Sequence, residues 1–132
     1  MKQNKAILCI DDEKIILDSL KTQLKSEFDN QYVLEFAQSA SEGFEIIYEL
    51  EKSSIDMLII ISDWLMPDMK GHEFLIKVHE RFPKVVTVLL TGQADRDAVI
   101  RAKLEANLFR CIYKPWTKEE LISTIKEGFN IT

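Results

Sequence analysis

The 132-residue chain is 46% hydrophobic and 30% charged with a net charge of -5, a balance that excludes disorder and lets one domain over residues 1–132 bury roughly two-thirds of its unfolded surface. No apolar run approaches the ~20 residues that span a bilayer, Met1-Lys2-Gln3-Asn4-Lys5 does not read as a signal peptide, and an acidic balance without a basic block argues against direct nucleic-acid binding. Cys9 and Cys111 form no CxxC pair, so neither a zinc site nor a disulfide framework is indicated; they read as small buried hydrophobes, and a cytoplasmic location fits.

Ala6-Ile7-Leu8-Cys9-Ile10 predicts a short strand that ends abruptly in Asp11-Asp12-Glu13. Ile16, Leu20, Leu24 and Phe28, with Leu17 alongside, then recur at helical spacing. Acids ahead of a helix suit its dipole, which accounts for one or two of the three but not for their place just beyond a buried strand. Tyr32 to Ala37 predicts a second strand, with Glu35 marking a position nearer a sheet edge. Ser39 and Glu42 make a capping-box pattern before a helix that faces inward through Phe44, Ile47 and Leu50.

Met57-Leu58-Ile59-Ile60-Ile61 is the most apolar run and reads as a strand buried on both faces, as in parallel sheets. Asp63 stands where that strand runs out, and Pro67 and Gly71 force a loop, with Asp68 a turn residue. Asp63 taken alone could simply open a turn. A third helix runs from His72 to Arg81 and closes at Phe82-Pro83. His72 and His79 on it have no cysteine or histidine partners and read as solvated surface residues. Val85 to Leu90 predicts a fourth strand ending in Thr91-Gly92, followed by a helix of mixed charge from about Asp95 to Glu105, read as a solvated face. Leu108 to Tyr113 predicts the fifth strand, ending in Lys114-Pro115-Trp116. Thr117 and Glu120 form a second capping box, and Leu121, Ile122, Ile125 and Phe129 face inward from the last helix. Trp64 and Trp116 flank the strand ends and need no role beyond packing.

Alternating strands and helices imply a parallel sheet covered on both faces with right-handed crossovers, whose carboxyl edge is where such sheets bind ligands. Asp11 and Asp12, Asp63, Thr91 and Lys114 all fall at strand ends that point to that edge, so they can converge. Neighbouring carboxylates repel, and a hard divalent cation such as Mg²⁺ relieves this while leaving room for phosphate oxygens. A carboxylate can itself attack phosphorus to give an aspartyl phosphate, with metal, ammonium and hydroxyl sharing the phosphoryl charge.

With Asp11-Asp12, Asp63-x-x-Met66-Pro67-x-x-x-Gly71, Thr91-Gly92 and Lys114-Pro115 in place, the chain resembles the receiver domains of two-component response regulators along its full length. The resemblance implies a doubly wound (βα)5, flavodoxin-like fold with a five-stranded parallel sheet in the order 2-1-3-4-5. It implies Asp63 as phospho-acceptor, Asp12 and Asp63 as Mg²⁺ ligands with Asp11 assisting through water, and the backbone carbonyl of Leu65 as a further ligand. Lys114 would pair with the phosphoryl group, Thr91 would move toward it, and Lys114-Pro115 would be cis. The implied protein is a signalling switch, not a turnover enzyme. It takes its phosphoryl group from a sensor histidine kinase or a histidine phosphotransfer protein and controls an output domain or downstream protein, with a phosphorylation-dependent homodimer among its implied partnerships. The tail Arg110-x-x-x-Lys114-Pro115-Trp116 is similar to receivers often joined to cyclic-nucleotide phosphodiesterase, cyclase or kinase modules, a fold-level analogy. The implied strand order puts the strands of Cys9 and Cys111 about 14 Å apart, too far for a disulfide.

Where this family usually carries a rotatable Tyr or Phe, three residues before the lysine, the chain has Cys111, and Phe109 and Tyr113 alternate with it on one strand face. Leu65 offers nothing to orient a hydrolytic water, which predicts slow self-dephosphorylation, although Gln93 could supply a polar group. The alternative to a solvated face for the mixed charges from Asp95 to Glu105 is a docking or dimer surface on the fourth helix, fifth strand and fifth helix. The rival readings of the whole chain are a degenerate receiver used only for protein docking, an acid-nucleophile phosphatase, and a flavin binder. The full set of acids, threonine and lysine argues against the first. Leu65 stands where the second needs an acid, and Asp11-Asp12-Glu13 would repel the phosphate of the third.

Overall fold

A computed structural model describes residues 4–28, 30–92 and 96–130. Strands and helices alternate: β1 Lys5–Ile10, α1 Lys14–Phe28, β2 Val33–Ala37, α2 Ala40–Lys52, β3 Asp56–Asp63, α3 Gly71–Arg81, β4 Val86–Thr91, α4 Arg96–Glu105, β5 Arg110–Tyr113 and α5 Lys118–Asn130. The strands are all parallel and form one sheet in the order β2-β1-β3-β4-β5, the expected doubly wound, flavodoxin-like arrangement. The Asp95 start expected for the fourth helix lies outside the described residues.

The sheet separates two apolar layers because its central strands alternate side chains between two faces. Ile7, Cys9, Ile59, Ile61, Val86, Val88 and Leu90 point to the face covered by α1 and α5. Leu8, Ile10, Ile60 and Leu89 point to the face that holds Phe74, Leu75 and Val78 of α3. Ile59, Ile60 and Ile61 are wholly buried, each stabilising the fold by about 1.5–3 kcal/mol relative to an exposed side chain. α1 buries Leu17, Leu20, Leu24 and Phe28, while Ile16, expected at the head of that stripe, is only half-buried against the same layer. Among the described residues, no helix is long and apolar enough to cross a membrane.

Helix ends follow local chemistry. Ser39 caps α2, its hydroxyl accepting from the Glu42 N–H at 3.1 Å, while the Glu42 carboxylate accepts from the Gln38 N–H at 2.6 Å. Thr117 likewise accepts from the Glu120 N–H at 3.1 Å ahead of α5. Asn107 after α4 adopts a left-handed conformation (φ 51°), which Asn tolerates better than most residues.

Two side-chain expectations are corrected. His72 is buried, not solvated, because Gly71 seats the start of α3 against the sheet and turns the next residue inward; His79 is half-buried. Phe109 does not share a face with Cys111. Phe109 packs with Ile112 and Ile125 in the α1/α5 layer, whereas Cys111 packs in the opposite layer. The strand begins only at Arg110, so strand alternation does not extend back to Phe109. Tyr113, two residues further along the strand, does lie on the Cys111 face, and its side chain is exposed.

Candidate functional site at the carboxyl edge of the sheet

Register decides which residues meet. Ile10 of β1 pairs with Ser62 of β3, and Asp63 pairs with Leu90 of β4. The next residues out, Asp11 and Asp63, therefore end their strands at one level. Thr91 pairs with Tyr113 of β5, so Lys114 is the first residue beyond. The turns that follow are pinned by the backbone. Asp11 N–H donates to Ala37 O at 3.0 Å, Trp64 N–H to Leu90 O at 3.2 Å, and Lys114 N–H to Thr91 O at 2.8 Å.

The side chains converge as well. One carboxylate oxygen each from Asp11, Asp12 and Asp63 lie within 4.8 Å of one another. Lys114 Nζ donates to Asp11 Oδ2 at 2.8 Å and to Asp63 Oδ1 at 3.1 Å, and stands 3.6 Å from Glu13 Oε1. Asp11 is fully buried and Asp63 and Thr91 nearly so, while Asp12 is exposed. Asp11 Oδ1 also accepts from the Glu13 N–H at 2.9 Å, fixing the acidic turn. The Lys114-Pro115 peptide is cis, as expected, and the Leu65 side chain is exposed. Gln93 lies outside the described residues.

Burial sets the electrostatics. It pushes the Asp63 carboxyl up to about 6, the Asp11 charge adding to the rise and Lys114 opposing it. Burial also raises Asp11 against the hydrogen bond from Lys114. For Lys114, burial favours the neutral amine, but the bonds and charges of Asp11 and Asp63 outweigh it and hold the ammonium above its ordinary value. A buried carboxylate pair matched by one ammonium carries excess negative charge next to the open side at Asp12, and its donors are hard oxygens. That donor set fits a magnesium-like cation, with Asp11, Asp12 and Asp63 as the residues to hold it. Among the described residues, no other group of three His, Cys, Asp or Glu side chains comes as close together. A shallow cleft of about 1230 Å³ lies at the opposite, amino edge of the sheet, lined by Lys5, Asp56, Met57, Lys84 and Val85, away from this chemistry.

Three contacts around the site carry no local signal in the sequence. Asp68, read as a turn residue, accepts from Ala40 N–H at 3.1 Å, Ser41 N–H at 2.9 Å and Ser41 Oγ at 2.8 Å. These bonds, the Ser41 hydroxyl first, hold its carboxyl below the ordinary range. Trp116 donates its indole N–H to Gln23 Oε1 at 2.8 Å, tying the segment after Lys114 to α1. Lys70 places its ammonium 5.0 Å from the Trp64 ring centre, a cation–π contact. Cys9 and Cys111 are both free thiols.

A family model for the response regulator receiver domain matches residues 7–126. The hydrogenase transcriptional regulatory protein HoxA of Cupriavidus necator is 32% identical over 122 residues, 92% of this chain but 23% of that protein; the chain thus spans about a quarter of the curated relatives it matches. Among solved structures, a CheY-like response regulator receiver domain protein from Methanospirillum hungatei superposes with a TM-score of 0.82 at 32% identity, covering 96% of this chain and 94% of the other. The signal receiver domain of an HD domain-containing protein from Pseudomonas fluorescens superposes at 0.84 with 26% identity, covering 98% and 96%.

Proposed function

Since this chain belongs to the response regulator receiver domain family, whose general role is phosphorylation-dependent switching, we propose that it works as a switch through an aspartyl phosphate formed on Asp63. Residues 1–132 act as one receiver unit in this reading, which works in the cytoplasm. A carboxylate oxygen of Asp63 attacks the phosphorus of a phosphohistidine on a histidine kinase or phosphotransfer protein. The new O–P bond forms as the P–N bond breaks, and the electron pair leaves on the imidazole nitrogen.

The observation that carries this reading is the position of Lys114 between Asp11 and Asp63, at 2.8 and 3.1 Å. An ammonium there can remain with Asp11 while turning from the Asp63 carboxylate to a phosphoryl oxygen bound to it. Asp11, Asp12, Asp63 and the Leu65 carbonyl are the groups to hold Mg²⁺, which when bound supplies positive charge against the phosphoryl oxygens. Thr91, one residue beyond the register partner of Asp63, is the hydroxyl to follow the phosphoryl group and pass its arrival to β4 and α4. With Cys111 at the usual aromatic position, Tyr113 is the aromatic group that can respond on that face.

The switch is a stoichiometric acceptor, not a turnover enzyme, and its output is a linked domain, a downstream protein or a second phosphorylated copy. The test is intact mass after incubation with Mg²⁺ and acetyl phosphate. A gain of one phosphoryl group that is lost with chelator and in Asp63→Asn supports the reading. No gain in a folded protein that binds Mg²⁺ overturns it in favour of a docking module.

A further inference from the structure

We propose that Asp68 is a positioning residue for the cation site, acting as a strap that fixes the loop carrying Leu65 against the start of α2; this rests on the functional reading above. The loop of residues 65–70 leaves the strand at Asp63 and returns at Gly71, whose N–H donates to Trp64 O at 2.7 Å. Between those points Met66 is buried and Met69 half-buried in the α3-side layer. Methionine is unbranched and adapts to many packings, so these two side chains hold the loop down without setting its course.

Asp68 supplies the directional contact. Its two oxygens take the N–H groups of Ala40 and Ser41, and one also takes the Ser41 hydroxyl. Those are the first two N–H groups of α2, which have no partner within the helix. The next two are already met by Ser39, whose hydroxyl takes Glu42 N–H and whose carbonyl takes Gly43 N–H. α2 therefore has its own cap, and Asp68 adds a second from 28 residues away. A partner so far along the chain is not needed to start the helix, and what it adds is a fixed distance between α2 and the loop. Metal sites weaken when the groups orienting their ligands are removed, and Asp68 lies three residues beyond Leu65.

The contrast between two caps on one helix separates positioning from mere support. In a Trp116→Phe background, where Trp64 is the remaining indole, fluorescence titration with MgCl₂ reads the cation site, and circular dichroism checks the fold. Asp68→Ala should weaken Mg²⁺ binding about tenfold, Asp68→Asn should fall between it and wild type, and Ser39→Ala should bind as wild type does. Equal affinity in wild type and Asp68→Ala, or equal losses in Asp68→Ala and Ser39→Ala, overturns the proposal. Amide hydrogen exchange without metal gives an independent arm: exchange over residues 65–70 should speed up in Asp68→Ala and not in Ser39→Ala. Wild type that takes up no Mg²⁺ would count against the functional reading itself, while the exchange comparison would still decide whether Asp68 straps the loop.

Discussion

Gly71 sits so close to the end of β3 that a Cβ there would lie 1.8 Å from the Asp63 carbonyl oxygen and 2.8 Å from its carbonyl carbon. Both atoms are backbone, so neither can swing aside, and the loop that leaves Asp63 closes back onto it. Gly71→Ala should therefore cost about 3 kcal/mol or more, at the upper end of single substitutions, and should move the Asp63 strand end. Urea denaturation measures the first. A loss below ~1 kcal/mol would mean that α3 can slide away from the strand without penalty.

Lys114 is the cation that balances two buried acids without metal. Lys114→Met keeps the apolar stem but leaves Asp11 and Asp63 facing each other, a loss of about 3 kcal/mol, the lower end for a broken buried pair because the ammonium is partly exposed. Added Mg²⁺ should restore part of this. A variant as stable as wild type in chelator would contradict the ion-pair account.

The pH dependence follows from the raised Asp63 carboxyl. Its folded value of about 6 lies above that of an unfolded aspartate, chiefly through burial. The folded state thus holds the proton more tightly, and this group's contribution to stability is greatest at acid pH. It declines as pH rises from about 4 through about 6. Asp63→Asn removes the ionisation. In chelator the variant should be more stable than wild type at pH 7, with the gap closing as pH falls toward 4. A gap that widens on acidification would reverse the sign and refute the assignment.

Both thiols should be sluggish nucleophiles at neutral pH. Burial raises the Cys9 thiol, with the Asp11 charge adding to it, and burial raises Cys111 to a lesser degree. Under native conditions a thiol reagent should leave Cys9 unmodified and label Cys111 slowly, and both should react at once in denaturant. Rapid native labelling of Cys9 would show that the sheet opens far more readily than its packing implies.

Much of this site can be read along the chain because a parallel sheet sends every strand's carboxyl end to one edge. The run Met57 to Ile61 marks the central strand by its unbroken apolar character, and Asp11, Asp63 and Lys114 then need only their place at a strand end. Residues whose partners lie elsewhere in the chain escape such a reading. Asp68 looks like any turn aspartate until α2 is folded beside it, and Trp116 finds Gln23 from 93 residues away. The burial of His72 depends on how far Gly71 lets α3 approach the strand. Phe109 lies one residue before the start of β5, so the alternation of the strand does not reach it.

The most direct measurement asks which of the three clustered carboxylates carries the phosphoryl group. Protein treated with Mg²⁺ and acetyl phosphate is reduced with borohydride, which converts an aspartyl phosphate to homoserine, then digested and sequenced by mass spectrometry. The account predicts homoserine at position 63 alone, dependent on Mg²⁺. Homoserine at position 11 or 12 with position 63 unchanged would contradict it.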